Sequence, residues 1–196
     1  MDFDQIIEKR HSSRSFKSKR PSFKDIMLAV DSSLQGAFAN NLNHLKFLII
    51  EYPETIKKIA KLCNQAWVSE SQLLVIVCSD DTHLEKLFGD RGRVYSRQQA
   101  GAAINTFILK LTELEIDSCW VGEYSDELIK STLGIPQHIQ IEAIIPTGFE
   151  QLAKGQKKPK KEKKISLDRG IFWEKWEGFR RPSAFEDPNI MHRDAY

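Results

Sequence analysis

Apolar residues recur at helical spacing in some stretches of this chain and almost without interruption in others, and the two patterns predict different elements. From Asp4 to Arg10, with Phe3 just before, the positions Phe3, Ile6, Ile7 and Arg10 fit one side of a short helix. Periodicity then lapses, and Arg10 to Arg20 is polar and basic. Pro21-Ser22-Phe23-Lys24-Asp25 has the form of a helix start, with Ser22 as cap and Asp25 three residues on. Phe23, Ile26, Met27, Val30 and Leu34 continue one apolar face. Gln35 to His44, rich in Gly, Ala and Asn, reads as a loop, and Leu45 to Tyr52 as a strand. Pro53-Glu54 opens a helix whose buried side is Ile56, Ile59, Ala60 and Cys63. The nearly continuous apolar run Leu73 to Cys78 is that of a strand covered on both faces.

The strongest element is Gln98 to Glu115, where Ala100, Ala103, Ile104, Phe107, Ile108, Leu111 and Leu114 keep the helical period. The small residues at 100–103 suggest close packing against another helix, within the chain or across a dimer. A short strand follows at Ser118 to Val121. Ser125 caps a helix with Asp126 and Glu127 in its first turn, where the helix dipole favours them. Gly134 ends that helix, Pro136 lies beyond, and Ile139 to Thr147 is the last clear strand. Strands alternating with helices give an α/β or α+β class. Past Gly148 the chain changes character. Residues 153–164 form a lysine-rich linker, and 165–196 an arm whose Ile171, Phe172, Trp173 and Trp176 need a groove on the core or on a partner subunit. No internal repeat is evident.

Composition narrows the class. A length of 196 residues suits one domain, and 41% hydrophobic with 29% charged residues is ordinary for a folded soluble protein. No apolar run approaches the roughly 20 residues that span a bilayer. The acidic opening Met1-Asp2-Phe3-Asp4-Gln5 lacks a signal-peptide pattern, so a cytoplasmic location is expected. Cys63, Cys78 and Cys119 are far apart with no CxxC pair, which argues against a zinc site and for reduced, buried thiols, and no metal is expected. The net charge of +2 gives no global case for nucleic acid, although basic residues cluster at 9–24 and 154–164. His44, His83 and His138 are scattered, and Asp80-Asp81, Glu113 and Glu115 read as solvated acids.

Arg10-His11-Ser12-Ser13-Arg14-Ser15-Phe16 carries the most chemistry. Two guanidinium forks bracketing hydroxyls at a helix end match the several oxygens of a phosphate. The plain alternative is a solvated basic turn.

This segment resembles the opening signature of the nitroreductase family, in which a helix ends in Arg, then Arg or His, Ser, any residue, and Arg or Lys. Further motifs follow in the family's order. Ala39 to Phe47 resembles the loop leading into its first strand, with Asn41 on the family's asparagine, Asn43 in place of the usual glutamine, and His44-Leu45 in place of Pro-Trp. Gln99 to Tyr124 resembles its long central helix and following strand, with Glu115-Ile116-Asp117 replacing a glycine-rich turn. Leu133 to Pro136, Ile144 to Gly148 and Lys157 to Trp176 resemble its later helix end, last core strand and basic, Trp-terminated close.

The resemblance implies an α+β sandwich, a mainly antiparallel sheet flanked by helices with an extended C-terminal arm. It also implies a homodimer binding FMN at the subunit interface. Arg10, His11, Ser12 and Arg14, with Lys161 and Lys163, would hold the phosphate. Asn41 and Asn43 would lie near the ring, and Trp120, Val121, Gly122 and Glu123 would run along it near N5. NADH or NADPH would reduce the flavin, and a small electron-poor acceptor such as a nitroaromatic or quinone would reoxidise it. Arg91-Gly92-Arg93 falls in the family's most variable region and would meet an acidic substrate or the 2′-phosphate of NADPH, or be only a loop; Trp67 would line a pocket or the core. Flavin-consuming, dehalogenating and thiazoline-oxidising enzymes share the fold, so they stay open, as do a flavin carrier and a nucleic-acid binder using Lys154 to Lys164.

Overall fold

A computed structural model describes residues 1–152 and 170–178. They fall in two compact units, Met1–Pro159 and Lys160–Tyr196. Lys161, Lys163, the linker at 153–164 and most of the arm at 165–196 lie outside the described residues. In the second unit Phe172 and Trp176 meet edge to face with centroids 4.9 Å apart.

The first unit is an α+β sandwich. Four described strands, β1 (Leu45–Ile50), β2 (Leu73–Ser79), β3 (Asp117–Ser118) and β4 (Gln140–Gly148), make an antiparallel sheet in the order β1-β2-β4-β3. Successive side chains of a strand point to opposite faces, so β2 splits its apolar run between two cores. Leu73, Val75 and Val77 face Ile26, Ala29 and Val30 of α2 (Phe23–Leu34) and Ile104, Phe107 and Leu111 of α5 (Asp90–Glu113). Leu74, Ile76 and Cys78 face Ile56 and Ile59 of α3 (Pro53–Leu62) and Ile129 of α6 (Asp126–Leu133). Both faces are covered, as the unbroken run requires. α1 (Phe3–Lys9) opens the chain with a capping box between Asp2 and Gln5. No described helix is long and apolar enough to cross a membrane.

Several elements differ from the sequence reading. α5 begins at Asp90, two turns before Gln98, and α4 (Thr82–Phe88) packs against it. Arg91-Gly92-Arg93 is therefore helix, and Gly92 is needed there: a Cβ would lie 2.4 Å from the Leu84 carbonyl. The buried side of α2 is Ile26, Ala29, Val30 and Ser33, while Phe23 and Met27 are exposed. Ala100 and Ala103 pack on Leu45, but Gly101 faces open space. Ser125 stands at the start of α6 without a side-chain capping bond. The strand expected at Ser118 to Val121 is the pair Asp117–Ser118 plus a single bridge from Val121 to Ile144.

Candidate active site

The polar segment after α1 is not free. Ser13 N–H donates to Ser118 O at 3.0 Å, Lys17 N–H to Phe149 O at 2.8 Å, and Gln151 N–H to Ser15 O at 3.0 Å. Ser12 bridges Ser118 in parallel and Phe16 bridges Glu150 in antiparallel. The segment thus runs extended beside β3 and the end of β4, and its side chains alternate. Arg10 and Ser12 face one side, where they line a cavity of about 270 Å³ with Asn105 and Ile108 of α5, Ser118 and Trp120. His11 faces the other side and lines a separate cavity with Lys9, Thr112, Glu115 and Asp117.

Arg14 completes the first group. Its guanidinium lies 6.0 Å from the Trp67 ring centroid, a cation–π arrangement. It also bears on the buried Cys119 thiol. Burial raises that thiol's pKa, while hydrogen bonds from Arg14 and Ser12 and the charges of Arg14 and Arg10 oppose the rise. Among the described residues neither Arg10 nor Arg14 forms an ion pair with a carboxylate. Two cations and a hydroxyl therefore converge beside an exposed indole, a set suited to an anion attached to a flat ring.

Beyond Trp120 the backbone stays accessible. Val121 is buried and bonded to Ile144, with N–H···O distances of 2.9 and 3.2 Å in the two directions. Gly122 and Glu123 are exposed, and a Cβ on Gly122 would meet nothing within 4 Å.

Asn41 and Asn43 stand elsewhere. Asn41 ends a 3-10 turn (Ala39–Asn41) with φ 54°, and the Asn43 side chain accepts from Leu45 N–H at 3.0 Å. Leu45 is opposite Ser79, which is opposite Gln140, whereas Ser118 and Val121 pair with Thr147 and Ile144. The two loops are thus diagonal corners of the sheet. Three strand spacings across and several residues along separate them by roughly 20 Å.

That far corner holds a polar network that the sequence reading missed. Asp81, expected to be solvated, is buried. Its carboxylate accepts from Ser79 (3.1 Å), Ser96 (2.5 Å) and Arg97 (2.7 Å). Arg97 also pairs with Glu142. Arg93 is taken up by Glu85 at 2.5 Å. Asn105 and Cys119 at the first corner were likewise not assigned to the site from sequence, whereas Trp67, weighed there as pocket or core, lies under the Arg14 guanidinium. Asn105 precedes Ile108 by one turn on α5, and only the packing reveals that this part of the helix looks into a cavity.

A family model described as the nitroreductase family matches residues 7–149. Over 81 residues the chain is 26% identical to Spy0809 of Streptococcus pyogenes, whose name assigns it to the NAD(P)H nitroreductases; the match spans 41% of this chain and 40% of that protein's length. A nitroreductase family protein from Clostridium novyi superposes with a TM-score of 0.72 at 20% identity, covering 90% of this chain and 96% of the other. The NADPH:FMN oxidoreductase of Vibrio harveyi, solved with NAD+, superposes with a TM-score of 0.77 at 13% identity, covering 89% and 77%.

Proposed function

The chain belongs to the nitroreductase family, and from that premise we propose that it is an FMN-dependent oxidoreductase carrying hydride from NADH or NADPH to a nitroaromatic, quinone or similar electron-poor acceptor. The observation that carries this reading is the single cavity shared by Arg10, Ser12 and Trp120, with Arg14 alongside. Arg10, Ser12 and Arg14 would hold the phosphate of FMN through charge-assisted hydrogen bonds. The open backbone at Gly122 and Glu123 would lie along the ring edge, where peptide N–H groups and nearby guanidinium charge favour the anionic form. When bound, FMN supplies the two-electron chemistry, and the protein supplies binding, orientation and electrostatics. Donor and acceptor would use the same open face in turn, a ping-pong order. Lys161 and Lys163 are proposed as further phosphate contacts.

One chain does not complete this site. About 270 Å³ is below the roughly 300–1,000 Å³ of cofactor-sized pockets, and Asn41 and Asn43 sit at the far corner. A homodimer that brings the far corner of one chain to the near corner of its partner would supply both. His11 enters this reading differently from the sequence expectation: its ring faces away from the shared cavity, so it is not proposed as a phosphate contact.

The test is the visible spectrum of the protein purified in air, followed by anaerobic reduction with each nicotinamide. A flavin band, FMN released on heating, and bleaching that a quinone reverses are expected. A colourless protein that takes up no added FMN would refute the reading.

A further inference from the structure

Behind the proposed flavin cavity, three side chains of metal-ligating type converge from separate parts of the chain. His11 comes from the segment after α1, Asp117 from β3 and Glu150 from beyond β4. His11 Nε2 lies 2.9 Å from Glu150 Oε2 and 4.0 Å from Asp117 Oδ1. One ligand atom from each residue falls within 4.8 Å of the others. Ligands about 2.1 Å from a tetrahedral ion would stand roughly 3.4 Å apart, so small side-chain adjustments would close the set.

The surroundings orient these groups as an outer shell does. His11 Nδ1 lies 3.1 Å from Lys9 O. A carbonyl only accepts, so Nδ1 carries a proton and Nε2 is turned toward the two carboxylates. Nε2 faces Glu150 at 2.9 Å, close enough for a hydrogen bond or for a shared ion. Ser13 Oγ, 3.0 Å from Nε2, can donate to that nitrogen but does not mediate its contact with Glu150. Asp117 is fixed as well: its Oδ2 accepts from Glu150 N–H at 2.9 Å while Oδ1 points to His11. All three side chains are largely buried, yet a cavity of about 270 Å³ opens beside His11 and Asp117, giving an ion an entry and room for water ligands.

We infer that His11, Asp117 and Glu150 form a site for a divalent transition-metal ion, distinct from the flavin cavity. One imidazole and two carboxylates, without thiolate, suit Zn2+, Mn2+ or Co2+. The ion would tie the Arg10–Phe16 segment to β3 and the end of β4, with Ser118 standing between it and the face that carries Arg10 and Ser12. The inference stands whether or not the protein binds FMN.

The test is Zn2+ titration of the full chain against a chromogenic chelator, with the visible spectrum of Co2+ as a second readout. One equivalent per chain is expected. Affinity should fall at least tenfold in Glu150→Gln and in Asp117→Asn, and hold in His138→Ala, which removes a histidine remote from the cluster. Both carboxylate changes keep side-chain shape, and circular dichroism verifies folding. Absence of saturable binding, or equal affinity in the wild type and the two carboxylate variants, would overturn the assignment.

Discussion

The two diagonal corners of the sheet each gather arginine, serine and a buried thiol, but they treat them oppositely. At the Asp81 corner the arginines are paired within the chain. Arg97 lies between Asp81 and Glu142, and Ser79 and Ser96 donate into the same carboxylate. At the Ser118 corner, Arg10 and Arg14 have no carboxylate among the described residues; Arg10 lines a cavity and Arg14 lies over the Trp67 ring. The thiols feel the difference. Cys78 is pushed up to about 11 by burial and then by the negative charge of Glu142, whereas Cys119, also raised by burial, is pulled back by Arg14, Ser12 and Arg10. Charge satisfied within the chain marks architecture, and charge left open marks a place for a ligand.

The largest expected effect comes from the two thiols that burial raises furthest, with Lys130 only partly opposing the rise at Cys78. Cys63 and Cys78 both rise from 9.0 to about 11 in the folded chain. Between those values the unfolded chain binds fewer protons than the native one, so stability is full below pH 9 and is lost as pH rises toward 11. The loss is about 2–3 kcal/mol per thiol. Urea unfolding at a series of pH values should show this slope in the wild type and a flatter one in the Cys63→Ala, Cys78→Ala double variant. An unchanged slope would contradict it.

Next is the closed corner itself. Asp81→Ala removes the acceptor of the buried Ser96 hydroxyl, one of two acceptors of Ser79, which keeps Glu142, and one partner of Arg97. Because the Arg97 side chain is 43% exposed, water softens part of the penalty. A destabilisation of about 3 kcal/mol remains, read as a lower urea midpoint. The open corner should respond the other way. Arg14→Ala should weaken FMN affinity about tenfold to a hundredfold while leaving the unfolding midpoint of the flavin-free protein nearly unchanged. Flavin fluorescence titration beside circular dichroism separates the two, and full FMN retention would count against the assignment of this corner.

The same contrast explains what could be read without coordinates. The runs at Leu73 and Ile139 were legible because each strand is buried on both faces, and the Arg10–Arg14 motif because its residue types are unusual together. α4 and the first turns of α5 were not. There the inward positions are Gly92, Ser96 and Gln99, and the outward ones Arg91 and Arg93, so the hydrophobic period is absent although the helix is buried on one side. Asp81 looked solvated because its partners lie at 79, 96 and 97 on two other elements. His11 shows the limit within a motif: its fate depends on the segment lying extended beside β3, which turns alternate side chains to opposite cavities.

The smallest effect tests how the open corner is built. Glu115, where the family resemblance has a glycine-rich turn, sits at φ 62° as the chain leaves α5 for β3. For an L residue that conformation costs about 1–2 kcal/mol, and glycine adopts it freely at the expense of a more flexible unfolded chain. The Lys9–Glu115 contact at 3.1 Å offsets little, since Glu115 is 76% exposed. Glu115→Gly should therefore raise stability by about 0.5 kcal/mol, a shift of a degree or two in thermal midpoint. Glu115→Ala removes the same ion pair but keeps the strained turn, so it should lower the midpoint slightly. If both variants fall together, the ion pair matters more than the backbone, and the segment carrying Arg10 is held in place by Lys9 rather than by the turn into β3.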